Sequence, residues 1–324
     1  MTALQFAVFG LGSIGLRHAK NALALDQHVT GFDPDPACRD LLRQAGGAVA
    51  ETREDAMADA DAVIVASPNR MHRDDIEFAV AADRHVFAEK PLVHSVGGME
   101  TILAEAQRKQ LVVFAAQNIR YHPAVKLAHT LLADGQLGDI LWSRFVFASY
   151  LPGWRAGQDY RKGYANDSET GGILFDMVHE FDLAAHLIGP FEPVAAAARR
   201  SAAIELAADS NAAVVLRHAG GSFSTVTLDY ATKPTYRRIE IAGTAGQLFV
   251  DLEARSLTLR NTASEMLREE NFPGSYSDDY VDEMRNFLAS VAGREQPLCD
   301  ASEALGILKQ VLATREMAGL RNVD

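Results

Sequence analysis

An acidic and a basic side chain in the middle of the chain have the types and spacing of a proton-transfer site. Asp176 and His179 lie three residues apart in residues 172–188, whose pattern predicts one helix. Residues three apart share a helix face, so the carboxylate and the imidazole are expected to be neighbours. Such a pair suits general acid–base catalysis near neutral pH. A solvated face of an amphipathic helix is the alternative interpretation.

The periodicity of this predicted helix separates a buried side from a polar strip. Phe181 and Ala184 fall on the buried side, whereas Asp176, His179 and His186 fall on the strip. These three side chains are also potential metal ligands. However, the sequence shows no second group of ligands, and a lysine at the same site would repel a cation. We therefore expect no metal.

A lysine follows a predicted strand at residues 85–88. Lys90 stands between Glu89 and Pro91, and a residue before proline favours extended backbone. Lys90 is therefore expected to leave the carboxyl edge of a sheet, where open α/β sheets bind ligands. A lysine there can stabilise a developing alkoxide or move a proton. A solvated surface lysine is the alternative.

A glycine motif near the N-terminus predicts a dinucleotide site. The G-x-G-x-x-G pattern follows a predicted strand, opens a predicted helix, and consists of Gly10, Leu11, Gly12, Ser13, Ile14 and Gly15. The three glycines suit a tight turn, close approach of the pyrophosphate, and helix–strand packing. Asp33 ends the next strand, where a carboxylate bonds the ribose 2′-OH and repels a 2′-phosphate. We expect NAD in preference to NADP; the alternatives are a ligand-free glycine turn and a turn-forming Asp33 before Pro34.

The elements around these residues predict two domains. Short apolar strands alternate with helices over residues 1–120, which indicates a Rossmann parallel sheet. Residues 121–324 carry hairpin patterns at 211–230 and 236–252, together with helices. They predict an α+β domain with an open, mostly antiparallel sheet. The fold class is therefore α/β.

An aromatic and charged loop precedes the proton-transfer pair. Its candidate substrate-binding residues are Trp154, Asp159, Tyr160, Arg161 and Tyr164. Aromatic faces beside charged groups suit sugar recognition, a partner interface or a plain surface loop. Arg120 and Tyr121, after the last Rossmann strand, are candidates for the same cleft. Arg120 would bind an anion or act as a structural ion-pair partner.

Composition excludes several function classes. The net charge of −12 and scattered Lys and Arg argue against a nucleic-acid partner. No apolar run is long enough to predict a membrane span, and the N-terminal pattern predicts a strand in place of a signal peptide. Cys38 and Cys299 form no disulfide framework, so we expect a cytoplasmic protein.

Taken together, the motifs resemble the glucose-fructose oxidoreductase/inositol dehydrogenase (Gfo/Idh/MocA) family. The resemblance extends from Phe6 to about Gly319 and depends on the glycine motif, on Ser67-Pro68-Asn69 with His72, on Glu89-Lys90-Pro91, and on Gly171-Gly172 before Asp176, His179 and Asp182. Many members space the Asp–His pair four apart. Here the spacing is three, in a D-x-x-H-E-x-D variant.

This resemblance implies an NAD(P)-dependent oxidoreductase that acts on a hydroxyl or carbonyl group of a sugar, sugar acid or cyclitol. Lys90, Asp176 and His179 match the family's catalytic residues. Beyond the glycine loop and Asp33, the cofactor-binding candidates are Ser67, Pro68, Asn69, His72, Glu89, Lys90 and Asn118. A non-catalytic NAD-binding regulatory protein and a reductase of an imine or other non-sugar substrate are the alternatives. We also expect a homodimer or homotetramer.

Overall fold

A computed structural model describes residues 3–155, 157 and 159–322 of the chain. These residues form two compact units. The first comprises the chain up to Asn118 together with Ser277–Gly306, and the second comprises Ile119–Tyr276 and the chain from Ile307. No helix among the described residues is both long and apolar enough to cross a membrane.

The first unit alternates strands and helices as the sequence predicts. Its strands are β1 (Gln5–Phe9), β2 (His28–Phe32), β3 (Ala48–Val49), β4 (Ala62–Val65), β5 (His85–Ala88) and β6 (Val113–Ala115). Its helices are α1 (Ser13–Ala24), α2 (Pro36–Gln44), α3 (Arg53–Met57), α4 (His72–Ala81), α5 (Met99–Arg108) and α9 (Tyr276–Val291), the last starting one residue before the boundary. The 3₁₀ turn Asn69–Met71 precedes α4.

The strands of the first unit form one parallel sheet in the order β3-β2-β1-β4-β5-β6. This order reverses between β1 and β4, and ligands of open α/β sheets bind at such a reversal, beyond the carboxyl ends of the strands. The strands β1, β4 and β5 are almost wholly buried, which explains their continuous apolar sequences. The expected Rossmann sheet is confirmed.

A late segment of the chain completes the core of the first unit. Phe287 on α9 contacts the rings of Phe6, Phe87 and Phe114, with ring centroids 5.5–5.9 Å apart. Phe114 also forms an isolated bridge with Asp300. Residues 277–306 belong to the first compact unit, with which Phe287 shares this aromatic packing. The domain boundary at residue 120 stays a prediction.

The second unit contains a larger sheet. Its strands are β7 (Ile140–Ala148), β8 (Phe191–Arg199), β9 (Asn211–His218), β10 (Phe223–Asp229), β11 (Tyr236–Gly243), β12 (Gly246–Asp251), β13 (Ser256–Asn261) and β14 (Met266–Asn271). Its helices are α6 (Pro123–Ala133), α7 (Ile173–Asp176), α8 (Val178–Ile188) and the later part of α10 (Ala301–Met317). The 3₁₀ turns are Asn118–Tyr121, which begins at the boundary, and Leu151–Gly153, Tyr160–Lys162 and Tyr164–Asn166.

This sheet has the order β14-β13-β12-β11-β7-β10-β9-β8. Its pairs are antiparallel except for β7 with β10, which are parallel, so the expected mostly antiparallel sheet is confirmed. Helices α6 and α8 pack on one face. Alternate residues of β10, Ser224, Val226 and Leu228, are buried on that face, as a half-covered sheet requires.

One expectation about the second unit is wrong. The predicted single helix over residues 172–188 is two helices, because the backbone of Met177 (φ −96°, ψ 36°) leaves helical geometry between α7 and α8. Asp176 therefore ends α7, and His179 lies in the first turn of α8. Of the predicted polar strip, Asp176 and His179 are buried, whereas His186 is partly exposed.

Candidate functional site

The glycine loop of the first unit has the geometry of a pyrophosphate site. Gly10 has φ +88°, and a Cβ there would lie 2.5 Å from the carbonyl oxygen of Ala66; a Cβ on Gly15 would collide with the carbonyl oxygen of Gly10. At Gly12, by contrast, a Cβ would meet no protein atom within 4 Å. The first turn of α1 carries no acidic residue. Open space before an uncompensated helix N-terminus suits a diphosphate anion.

The other glycine-loop residues follow this geometry. Leu11 is buried, Ser13 is exposed, and Ile14 is partly exposed. The Asp33 carboxylate accepts a hydrogen bond from the backbone N–H of Leu11 at 2.7 Å and another from Asp35 N–H at 2.9 Å. Asp33 therefore also holds the glycine loop against the end of β2.

The backbone segments after β4 and β5 are joined by a buried histidine. His72, 1% exposed, places Nε2 at 2.8 Å from the carbonyl oxygen of Ser67 and Nδ1 at 3.0 Å from that of Pro91. Ser67 donates its hydroxyl to Asp75 at 2.6 Å. Pro68 is exposed and caps the following 3₁₀ turn, which Asn69 begins. His72 therefore fixes the segment after Lys90 to the end of β4.

Two further cofactor candidates lie at the carboxyl edge of the same sheet. Lys90 is partly exposed and lies two residues after the end of β5. Asn118 is 2% exposed, and its Nδ2 has no hydrogen-bond partner among the described residues. A buried donor without a partner is costly unless a ligand accepts from it. Together with the open space at Gly12, Asn118 shows that the residues of this unit fit a bound dinucleotide.

In the second unit, the Asp176 carboxylate is held by two tyrosines. Tyr164 donates its hydroxyl to Oδ1 at 2.6 Å, and Tyr230 donates to Oδ2 at 2.5 Å. Burial, followed by the charge of Asp176, raises the pKa of Tyr230 well above its usual value, so this phenol stays protonated and donates. Asp176 is 1% exposed and His179 is 3% exposed. The sequence interpretation did not include Tyr230 in the site. Three strands, β8 to β10, separate it from Asp176 along the sequence.

The aromatic loop divides into two groups of contacts. Trp154, 39% exposed, donates its indole N–H to Ser149 at 2.9 Å and meets Tyr230 edge-on at 5.5 Å. A second group joins the loop to residue 205: Arg161 bonds Asp159 at 2.8 Å and Glu205 at 2.7 Å, and the Tyr160 hydroxyl accepts the Glu205 N–H. This second group stabilises the loop itself.

The residues after the last Rossmann strand are buried. Arg120, 1% exposed, forms a two-point ion pair with Asp182 at 2.9 and 2.7 Å. This geometry favours the structural ion-pair interpretation of Arg120. Tyr121 is 5% exposed, and the ammonium of Lys126 lies 5.3 Å from its ring centroid.

His186 lies against a second histidine. Its ring stacks on His129 with centroids 4.6 Å apart, and burial together with Arg120 and His129 lowers its pKa to about 3. Over residues 3–155, 157 and 159–322, no three potential His, Cys, Asp or Glu ligands come together.

Comparison with known proteins agrees with this architecture. Residues 4–117 match the model of an oxidoreductase family with an NAD-binding Rossmann fold, and residues 125–249 match the GFO/IDH/MocA C-terminal domain. The chain is 26% identical to myo-inositol 2-dehydrogenase of Thermotoga maritima, over 99% of this chain and 98% of that protein. It is also 26% identical to inositol 2-dehydrogenase of Rhizobium meliloti, over 99% of both.

A solved structure of levoglucosan dehydrogenase in complex with NADH has the same fold. It superposes with a TM-score of 0.89 at 19% identity and covers 99% of this chain and 100% of that chain. The two family models together span most of the sequence; the first covers the parallel sheet, and the second covers the larger sheet from β7 into β12. The chain therefore belongs to the GFO/IDH/MocA family of oxidoreductases, with an NAD-binding Rossmann fold in its N-terminal part.

Proposed function

We propose that this protein catalyses reversible hydride transfer between NAD and a carbinol carbon of a sugar, sugar acid or cyclitol. The observation that carries the proposal is the buried carboxylate of Asp176, three residues before His179 in the chain. Two tyrosine hydroxyls hold this carboxylate in place. A carboxylate fixed in this way suits the orientation of a catalytic imidazole. The relatives named above act, by name, on inositol and levoglucosan, which are polyhydroxylated rings.

When bound, NAD supplies the hydride acceptor; the chain supplies binding and proton transfer. In this proposal His179 accepts the hydroxyl proton during oxidation, and Lys90 stabilises the developing alkoxide. In this proposal Asp176 has an orienting role, since two tyrosine hydroxyls hold its carboxylate in one position.

We also propose that Trp154 and Tyr164 contact the ring of the substrate. Trp154 is 39% exposed with its indole N–H already bonded to Ser149, which leaves an aromatic face for C–H groups. Tyr164 is 42% exposed and joins this loop to Asp176. The charged pair Asp159–Arg161 is a weaker candidate, since each side chain binds the other.

A substrate panel tests this function. Purified protein is mixed with NAD and with sugars, sugar acids and cyclitols, and NADH formation is followed by absorbance. Turnover of at least one polyhydroxylated ring supports the proposal. NADH binding without turnover of any panel member would favour a regulatory protein, and turnover of an imine alone would favour the non-sugar reductase.

Cofactor preference gives a test that depends on Asp33. We expect a higher kcat/KM with NAD than with NADP, because the carboxylate at the end of β2 bonds ribose hydroxyls and repels a 2′-phosphate. Asp33→Asn should lower this preference while its amide oxygen still accepts the Leu11 N–H. Asp33→Ala should lower the preference and also weaken binding of both cofactors. A wild type that prefers NADP would contradict the assignment.

The open face of the large sheet supports the proposal of a homodimer or homotetramer. Trp142 and Phe223 are paired in register on β7 and β10 and are 42% and 47% exposed; Phe249 on β12 is 37% exposed. The apolar residues Val226, Leu228, Ile239 and Ile241 are buried on the helix side. The open face instead mixes aromatic residues with charged ones, including Arg144 and Glu240.

Light scattering at micromolar concentration tests this assembly. We expect a mass of at least two chains, because clustered exposed aromatic residues on a sheet face favour association. Trp142→Glu with Phe223→Glu should lower the mass, whereas Leu41→Glu, an exposed apolar residue of the first unit, should not. A wild-type monomer would contradict the proposal. On the argument from its two free cysteines, we also propose that the protein acts in the cytoplasm.

A further inference from the structure

A buried acid and a buried histidine meet inside the first unit, outside the residues that the family resemblance assigned to catalysis. His18 on α1 is 0% exposed, and its Nε2 lies 2.6 Å from Oε1 of Glu89, which is 6% exposed. Placing a carboxylate away from water costs several kcal/mol unless its oxygens are well bonded. A pair of this kind therefore needs a physical reason.

The second carboxylate oxygen of Glu89 contacts the backbone of the next residue. Oε2 accepts the backbone N–H of Lys90 at 3.0 Å. Burial by itself raises the pKa of Glu89, but the hydrogen bond from His18 and the charge of Lys90 outweigh it, so the net shift is downward. Glu89 is thus an ionised group that joins a helix on one side to the backbone of Lys90 on the other.

The position of His18 is itself closely defined. Its ring meets Phe87 edge-on at 4.8 Å and Tyr280 at 5.6 Å. Its Nδ1 has no hydrogen-bond partner among the described residues, so a proton there would be buried and unsatisfied. The contact with Glu89 is therefore made through Nε2, which donates to the carboxylate.

The contact between His18 and Glu89 bears on function because of the place where helix α1 begins. The helix starts at the glycine loop, and His18 lies in its second turn on the buried side. A cofactor phosphate held at the N-terminus of α1 is therefore connected to Lys90 by one rigid helix and two short hydrogen bonds. All of these residues belong to one unit.

We propose that His18 is a positioning residue that acts through Glu89 to fix Lys90 relative to the cofactor-binding helix. The inference rests on the proposed function, since it is the reaction that requires Lys90 in one place. Displacement of a reacting group by about 1 Å can cost about 10²-fold in rate. Loss of the His18 donor should therefore lower kcat more than it changes cofactor affinity.

Two substitutions at His18 place a donor nitrogen at different distances along the side chain. The amide nitrogen of His18→Gln extends as far as Nε2 and can donate to Glu89, whereas that of His18→Asn reaches only the position of Nδ1. We expect His18→Asn to lower kcat by about 10-fold or more with the NADH Kd nearly unchanged, and His18→Gln to retain most of kcat. Equal losses in both variants, or none in either, would overturn the proposal.

A measurement without turnover separates this inference from the proposed function. In the protein without cofactor, the rate at which an amine-acylating reagent labels Lys90 is compared by mass spectrometry with that of exposed Lys20. The ratio should change in His18→Asn and stay as in wild type in His18→Gln; identical ratios in all three would contradict the inference even if the enzyme is active. A wild type inactive on the substrate panel would count against the proposed function alone.

A substitution of the bridging acid covers the case in which His18→Asn fails to fold. Glu89→Gln keeps an oxygen for His18 but turns an amide N–H₂ toward the Lys90 N–H. It should change the Lys90 labelling ratio and lower kcat as His18→Asn is expected to do. Wild-type labelling and kcat in a folded Glu89→Gln protein would contradict the proposal.

Discussion

Replacement of His179 by alanine is expected to lower kcat by about 10²-fold or more, the usual effect of removing a general acid–base group. His179 is buried in the first turn of α8, three residues after a carboxylate that two tyrosines hold in place. Lys90→Ala is expected to produce a loss of similar size. Steady-state rates with the best substrate of the panel measure kcat, and fluorescence titration measures NADH binding, which should change little.

His186→Ala is the matched control for this experiment. It removes an imidazole from the same helix, but one that stacks on His129 and whose pKa is lowered to about 3. An imidazole with so low a pKa is a weak base near neutral pH, so it is not expected to accept a substrate proton and kcat should stay close to wild type. Retained kcat in both His179→Ala and Lys90→Ala would remove these residues from the mechanism.

Replacement of Asp182 by alanine is expected to lower the free energy of unfolding by about 3–5 kcal/mol, because it leaves the Arg120 guanidinium buried without its carboxylate. The two side chains are 1% and 2% exposed and form two hydrogen bonds. The double variant Arg120→Met with Asp182→Leu should lose less, since it removes both charges and fills the space. Chemical denaturation of the three proteins measures the difference.

The exposed pair Arg161–Asp159 serves as the surface comparison. Its arginine side chain is 52% exposed, and solvent screens such a pair. Asp159→Ala should therefore have a much smaller effect on stability than Asp182→Ala. Equal effects would show that the buried pair contributes no more than a surface pair. Substrate KM in the double variant also tests whether Arg120 binds an anionic substrate.

Local motifs in the sequence predicted the first unit well. The glycine motif, the apolar strands and Asp33 each depend on neighbours within one βαβ repeat, where spacing and geometry are tightly related. The structure places Gly10, Gly12 and Gly15 where a Cβ would meet backbone, open space and backbone, respectively. The strand β3 is only two residues long, and the sequence has no periodicity from which to predict it.

The second unit shows where this reasoning fails. A helical period cannot show that both sides of a segment are buried, as they are at Ile173, Leu174, Asp176 and His179. The sequence therefore predicted a polar strip opposite a buried side. The contact between Tyr230 and Asp176 spans 54 positions and leaves no local pattern. Strand β14, with the sequence MLREEN, is an exposed edge with no alternation of apolar residues.

The aromatic core that Phe287 shares with Phe6, Phe87 and Phe114 has a consequence for biosynthesis. A ribosome releases the strands of the first unit early, yet α9 becomes available only after the whole second sheet has been translated. These phenylalanine rings therefore stay uncovered in the nascent parallel sheet until α9 has been translated. Closing this core brings together residues that lie far apart in the sequence. Such non-local closure is slow and exposes apolar surface to aggregation. A fragment truncated after the sixth parallel strand should depend on chaperones, because it lacks the helix that seals it.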